Sequence, residues 1–353
     1  MRRSHGSVML ACLLCVSSGC NHVRTLRSVR RLGDTNAFVM DYYVNYHIDE
    51  IRHRGMDVNN IEDSCMATLL PNFLVPIMRP LKQRHMPEKI TTVGGQGQRC
   101  STVGLRSDDG TVYFGRNYDY GNDACLILRV HDRRGVASLA VIDLGFLKMN
   151  RPDLDKTSLF ERIPLLFAPY YAMDGMNRYG VAVSIMAVDT AKPPESPEKP
   201  DIINSTLIRL ILDYARDVDE AIDLIRGFNV HFVQLPQHIM VADSSGRFRV
   251  IEYIDGEICI TPGKESWQVC TNHIVWNKSE TENDGTCGRY RIGSGKAEIL
   301  GGEIDDSDVH NVTRSMSHSG TMWTSLYNLT ALDACIIYRS ALDSEYHDKI
   351  STR

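Results

Sequence analysis

"RCSTVGLRSDDGTVYFGRNYDY", residues 99–120, reads as two short strands around an acidic turn. "STVGLRS" (residues 101–107) and "TVYFGRN" (residues 111–117) are rich in strand-forming residues. Asp108, Asp109 and Gly110 between them carry a strong hairpin signal. Cys100 heads the first strand, and Arg116 and Asp119 close the second, so the hairpin returns both charged side chains toward the thiol. A cysteine attacks as its thiolate and needs a base or a positive neighbour. An arginine favours the thiolate, and an aspartate can hold and orient an ammonium. A free α-amino group titrates near ~7.7 to 8.0. A chain cut before Cys100 would therefore carry nucleophile and base on one residue. The plainer alternatives are a buried core thiol at Cys100 and a hairpin salt bridge between Arg116 and Asp119.

Immediately upstream, "VGGQGQR" (residues 93–99) is Gly-rich and polar, the kind of exposed loop where chains are cut. Residues 21–99 otherwise show helix-length apolar patterns. These are "NAFVMDYYVNYHIDEIRHRG" (residues 36–55) and "SCMATLLPNFLVPIMRPLKQRH" (residues 64–85), the second interrupted by Pro71, Pro76 and Pro80. The reading is a helical propeptide or N-terminal subunit over 21–99. At the start, Arg2 and Arg3 precede an apolar stretch from Val8 to Val16 and then small residues. That is the layout of a secretory signal over residues 1–20. Ser18, Gly19 and Cys20 also match a bacterial lipoprotein processing site, with Cys20 the lipid anchor, although Ser17 stands where Leu or Val is usual. The expected location is outside the cytoplasm of a bacterium, periplasmic or membrane-anchored.

Downstream, strands dominate residues 100–353. "CLILRVHD" and "VASLAVIDLG" pair around residues 133–135, and "DGMNRYGVAVSIMAV" turns at residues 177–180 before another strand. Two helices follow, "NSTLIRLILDYARD" and "DVDEAIDLIRGF", the second opened by Asp217 and Glu220 as a capping box. Strands return in "HIMVADSSGRFRVIEYIDGE" and "TMWTSLYNLTALDACIIYR". Strand runs on both sides of a helix pair imply sheets covered by helices.

The whole chain bounds the remaining possibilities. With 353 residues, 43% hydrophobic and 24% charged, it is ordinary globular material. A net charge of −5 gives a nucleic-acid surface no global support. No apolar run is long enough to span a bilayer. Of ten cysteines, Cys12, Cys15 and Cys20 belong to the signal, and the remaining seven leave at least one thiol unpaired. Beyond the signal there is no CxxC pair, no HExxH and no Cys/His cluster at metal-ligand spacing, so neither metal nor cofactor is expected.

The hairpin resembles the N-terminal-nucleophile (Ntn) hydrolases of the choloylglycine hydrolase and penicillin V acylase family. It is also similar to the acid ceramidase and acyl-CoA:6-aminopenicillanic acid acyltransferase group. Those families place an arginine sixteen and an aspartate nineteen positions after the catalytic cysteine, as Arg116 and Asp119 stand to Cys100 here. "YFGRN" is shared, and "DGMNRYGVAVS", "ADSSGRFRVIEY", "VCTNH" and "CGRYR" resemble further family segments in the same order. The resemblance implies a four-layer αββα sandwich of class α+β over residues 100–353, with the N-terminal helical prosegment ahead of it. It assigns the oxyanion donor to Asn272 and a second active-site arginine to Arg289, with Arg291 as the other candidate. The implied reaction is hydrolysis of a linear carbon–nitrogen amide in a small N-acylated molecule. The alternatives are acyl transfer from the same acyl-enzyme and a non-catalytic binder of acylated ligands, as monomer or homo-oligomer. Two departures, Ser101 where threonine is usual and Ala187 where many bile-salt hydrolases have asparagine, weaken a bile-salt assignment.

Overall fold

The computed structural model describes residues 20–61, 64–65, 99–120, 124–131, 136–233, 235–339 and 345–350. The export segment at residues 1–19, the loop at 93–98 and nearly all of the second upstream pattern lie outside these residues.

The hairpin forms as its sequence requires. Ser101–Arg106 pairs antiparallel with Val112–Tyr118, placing Thr102 opposite Arg116 and Ser101 opposite Asn117. Gly110 closes the turn at φ 89°, a conformation glycine adopts without Cβ penalty. The pair sits inside a six-stranded sheet ordered Trp267–Cys270, Ser101–Arg106, Val112–Tyr118, Trp323–Asn328, Asp333–Tyr338, Glu345–Lys349. Side chains alternate across this sheet. Asn117 and Gly115 face the Asp306–Ser315 helix, where the Asn117 amide donates to the Thr313 carbonyl at 2.7 Å. A Cβ on Gly115 would collide with the Thr313 side chain, which accounts for the glycine before Arg116. Arg116 and Thr102 point the other way, into the gap between two sheets, where Thr102 meets Ser184 of the second sheet at 3.0 Å.

That second sheet has nine strands. In order they are Arg30–Arg31, Ala37–Tyr42, Cys125–His131, Ala137–Asp143, Ala172–Asn177, Ala182–Ala187, Gln237–Ala242, Phe248–Ile254 and Glu257–Pro262. Its outer face carries the Asn204–Tyr214 and Val218–Arg226 helices and a 3₁₀ run at Ile163–Tyr171. The six-stranded sheet is covered on its own outer face by Gly288–Ile299 and Asp306–Ser315. The result is the layered helix–sheet–sheet–helix sandwich, with its driest core between the sheets. Phe38, Phe114, Phe248 and Trp323 are fully buried, each worth about 1.5–3 kcal/mol of hydrophobic stabilisation. Both expected strand pairs after the hairpin are present, and Asp217 caps its helix by accepting from the Glu220 backbone at 2.9 Å. The reciprocal Glu220 bond goes to Arg216 N rather than to Asp217 itself, so the box is shifted by one residue.

The helical reading of residues 36–55 is corrected. Ala37–Tyr42 is a strand, and only Ile48–Arg54 is a helix. Ala37, Phe38, Val39 and Met40 are all buried, and the strand lies parallel to Cys125–His131 inside the nine-stranded sheet. A continuous apolar run buried on both faces suits an interior parallel strand, and its periodicity does not distinguish it from a buried helix. Tyr42 and Tyr46 extend this attachment, donating to the Leu166 carbonyl and to Asp213, both at 2.6 Å.

Candidate active site

Cys100 lies at the mouth of the inter-sheet gap, just ahead of its strand, and is 8% exposed. The Arg116 guanidinium reaches its sulfur from the neighbouring strand, Nη2 to Sγ 3.5 Å. The same guanidinium donates to the Ile185 carbonyl and forms a fully buried ion pair with Asp174, each at 2.6 Å. Asp174 comes from the opposite sheet. It also accepts from Trp323 Nε1 at 3.1 Å, Ser325 Oγ at 2.8 Å and Tyr327 OH at 2.6 Å. Four donors on one buried carboxylate fix its position, and through it the plane of Arg116. The partner of Arg116 is therefore Asp174, and a salt bridge with Asp119 is not formed.

Asp119 organises the other side. Its Oδ1 accepts from Thr321 at 2.6 Å, and its Oδ2 pairs with Arg289 at 2.7 Å and His318 at 3.2 Å. Its backbone carbonyl accepts from Arg99 N at 3.1 Å, holding the Arg99–Cys100 bond beside it. Burial pushes the Asp119 carboxyl up, against Thr321, Arg289 and His318, which act to lower it. Arg289 Nη2 donates to Asn272 Oδ1 at 2.8 Å, and its Nη1 lies 3.5 Å from the Arg99 carbonyl oxygen. Asn272 turns its amide nitrogen to the Ala187 carbonyl at 2.8 Å. Arg289 is the arginine that reaches this network, whereas Arg291 is exposed on the Gly288–Ile299 helix. Cys100 thus lies beside both Arg116 and Asp119, Arg289 joins through Asp119, and Asn272 joins through Arg289.

Burial pushes the Cys100 thiol above its ordinary value, and the Asp119 charge adds to this, while Arg116 opposes it. The Cys100 thiol therefore keeps its proton in the neutral range. The cavity beside it, lined by Cys100, Asp119, Phe146, Met173, Leu235 and Gln237 among others, measures about 30 Å³. That is room for a water or two, whereas small-molecule pockets run to roughly 300–1,000 Å³.

Several residues of this site were not foreseen. Asp174 opens the quoted "DGMNRYG" segment, and Trp323, Ser325 and Tyr327 alternate along a stretch read only as a strand. Ser325 on an inward-facing register between two aromatics was the available signal. His318 and Thr321 carried none. A second buried set supports the Asn272 loop. Glu252 accepts from the backbone of Val275 at 3.0 Å and Trp276 at 2.7 Å, and from His238, which meets the Thr271 carbonyl at 2.7 Å.

The chain is similar to known proteins over part of its length and in fold. Residues 154–294 match the family described as acyl-coenzyme A:6-aminopenicillanic acid acyl-transferase, a span that includes Asp174, Asn272 and Arg289 but begins after the hairpin. A penicillin V acylase of Pectobacterium atrosepticum is 28% identical over 122 residues, 31% of this chain and 32% of that protein. The match thus spans about a third of that relative's length. The structure of penicillin V acylase from Agrobacterium tumefaciens superposes with a TM-score of 0.51 at 16% identity, covering 69% of this chain and 84% of the other. A variant of the conjugated bile acid hydrolase from Clostridium perfringens gives 0.50 at 11%, covering 71% and 92%. Both likenesses are of fold.

Proposed function

We propose that the chain is an Ntn-type amidase, as its similarity to penicillin V acylases and a conjugated bile acid hydrolase suggests, whose nucleophile is Cys100, freed by cleavage of the Arg99–Cys100 bond. The observation that carries this reading is one cluster holding three things together. They are the thiol, the cation Arg116 at 3.5 Å from it, and the Arg99 carbonyl facing Arg289.

The first reaction is on the chain itself. Cys100 Sγ attacks the Arg99 carbonyl carbon, the oxygen takes negative charge beside Arg289, and the carbon–nitrogen bond breaks with the proton passing to nitrogen. Water then hydrolyses the thioester, leaving an Arg99 carboxylate and a free Cys100 amine. Asp119 lies beside that amine and can hold its ammonium. In the second reaction the amine takes the thiol proton, and the sulfur attacks the carbonyl of an acyl amide. Asn272, once turned from Ala187, and a backbone N–H stabilise the oxyanion. The proton goes to the leaving amine, and water releases the acid. The small cavity of the uncut chain supports the order, since the pocket must open before substrate enters. The apolar character of Phe146, Met173 and Leu235 suits an apolar acyl group.

Residues 20–61 would stay docked after cleavage, because Ala37–Tyr42 is buried within the sheet. Export by the first twenty residues and lipid attachment at Cys20 belong to the same proposal. Acyl transfer is the second reading, favoured by the match to an acyltransferase family. The experiment is intact mass under native and denaturing conditions, followed by assay on a panel of acyl amides with and without an added amine. Wild type should give a chain beginning Cys-Ser-Thr-Val that co-purifies with its upstream fragment, and Cys100→Ala should remain whole. Full activity with an intact Arg99–Cys100 bond would overturn the mechanism. An acyl-amine product exceeding free acid would move the assignment to transfer.

A further inference from the structure

The helix-facing side of the six-stranded sheet, opposite the candidate active site, carries a second cluster of reactive side chains. Asp333–Tyr338 pairs antiparallel with Glu345–Lys349 in a register that sets Cys335 opposite His347 and Ile337 opposite Glu345. Residues two apart on a strand share a face, so Glu345 and His347 stand side by side with Cys335 across from them. The Cys335 sulfur is 3.9 Å from His347 Nε2, and Glu345 Oε2 is 3.2 Å from the same nitrogen. All three ligand atoms lie within 4.8 Å of one another. Zinc bonds of about 2.3 Å to sulfur and about 2.0–2.2 Å to nitrogen or oxygen, in a tetrahedron, separate ligand atoms by roughly 3.3–3.6 Å. The observed spacings bracket that value.

A neighbouring cavity of about 260 Å³ is lined by these three residues and by Asp306, His310 and Asp333. It leaves space for a fourth ligand, water or one of those side chains. A divalent cation bound there would take Cys335 as its thiolate, displacing the thiol proton to solvent. A thiolate, an imidazole and a carboxylate suit zinc rather than calcium or magnesium, which prefer oxygen alone.

We propose that Cys335, Glu345 and His347 form a zinc-type divalent-metal site, with a fourth position open to the adjacent cavity, that pins the C-terminal strand to its neighbour. The site departs from the sequence expectation of no metal because strand register, and no short ligand motif, brings the residues together.

The test uses the full chain as purified, stripped with a chelator and titrated with Co²⁺ and then Zn²⁺, in wild type and in the Cys100→Ala background that removes the thiol of the candidate active site. The expected result is one tightly bound ion per chain in both, a near-ultraviolet thiolate-to-cobalt band displaced by Zn²⁺, and slower amide exchange over residues 345–349 with metal. His347→Ala, whose side chain is 69% exposed and so carries little of the fold, should weaken binding on the order of a hundredfold. Cys335→Ser should abolish the band. No tight binding, binding without a thiolate band, or wild-type affinity retained in His347→Ala and Cys335→Ser would overturn the site.

Discussion

Cys100, Arg116 and Asp119 reach the site from a single hairpin, whereas Asn272, Arg289, His318 and Thr321 arrive from three later segments with helices between them. The two halves also differ physically. Arg116 and its partner Asp174 are fully buried between the sheets, while Arg289 and His318 retain 15% and 36% side-chain exposure. A rigid, dry half holds the sulfur, and a wetter half holds the Arg99–Cys100 bond and Asn272, the proposed cleavage point and oxyanion donor. The division predicts that substitutions at Arg116 and Asp174 act through folding, and those at Asn272 and Arg289 through chemistry.

The sharpest way to break this comparison is Asp174→Ala. Removing one partner of a buried ion pair typically costs about 3–5 kcal/mol because the other charge is left unpaired. Here Trp323, Ser325 and Tyr327 lose their acceptor as well. The chain should unfold at markedly lower denaturant concentration and fail to cut itself. A near-normal midpoint with normal cleavage would show that Arg116 is held by Ile185 and its packing alone.

Next in size is Asn272→Ala, with Arg289→Ala beside it. Loss of one oxyanion donor costs roughly a hundredfold or more in turnover, about 2.7–4 kcal/mol. The denaturation midpoint should stay within the range of ordinary surface changes, because the Glu252 and His238 contacts keep the loop in place. Arg289→Ala should additionally slow cleavage before Cys100, since Arg289 faces the Arg99 carbonyl. Unchanged turnover in Asn272→Ala would place the oxyanion donor elsewhere. A large midpoint shift would erase the distinction between the halves.

The same division explains how much could be read from the sequence. A hairpin carries its own register, so Cys100, Arg116 and Asp119 were legible from one turn and two spacings. Asn272 and Arg289 were reachable only through family resemblance, because their approach to Asp119 depends on how a strand end and a helix start are packed. Asp174 stood in plain view, yet its role depends on a sheet-to-sheet contact that no local pattern encodes. The strand at Ala37–Tyr42 was hidden for a related reason. Four consecutive apolar residues fit a buried helix or a buried strand equally well, and only pairing with Cys125–His131 decides between them.

The smallest effect on turnover is expected at a thiol beside the wetter half. Cys287 stands just ahead of the Gly288–Ile299 helix that carries Arg289. Burial acts to raise its pKa, but hydrogen bonding by His273, Thr271 and the backbone N–H groups of Tyr290 and Arg289 outweighs burial and brings it down to about 6. Cys100 in the uncut chain is shifted the other way. The sign is therefore opposite for the two sulfurs. Cys287 should be thiolate above about pH 6, whereas uncut Cys100 keeps its proton through the neutral range. Alkylation of the uncut Cys100→Ala chain, mapped by peptide mass, should label Cys287 first, at a rate that rises through pH of about 6 and then levels. A half-maximal rate near ~8.5, the value of an unperturbed thiol, would remove the special environment assigned to Cys287. Cys287→Ser should abolish that early labelling while leaving turnover within about twofold, because a serine hydroxyl can keep those hydrogen bonds and Arg289 holds Asp119 and Asn272 through its own guanidinium. A loss as large as that of Asn272→Ala would instead mean that the start of the helix, and not Arg289 alone, sets the geometry of the wetter half.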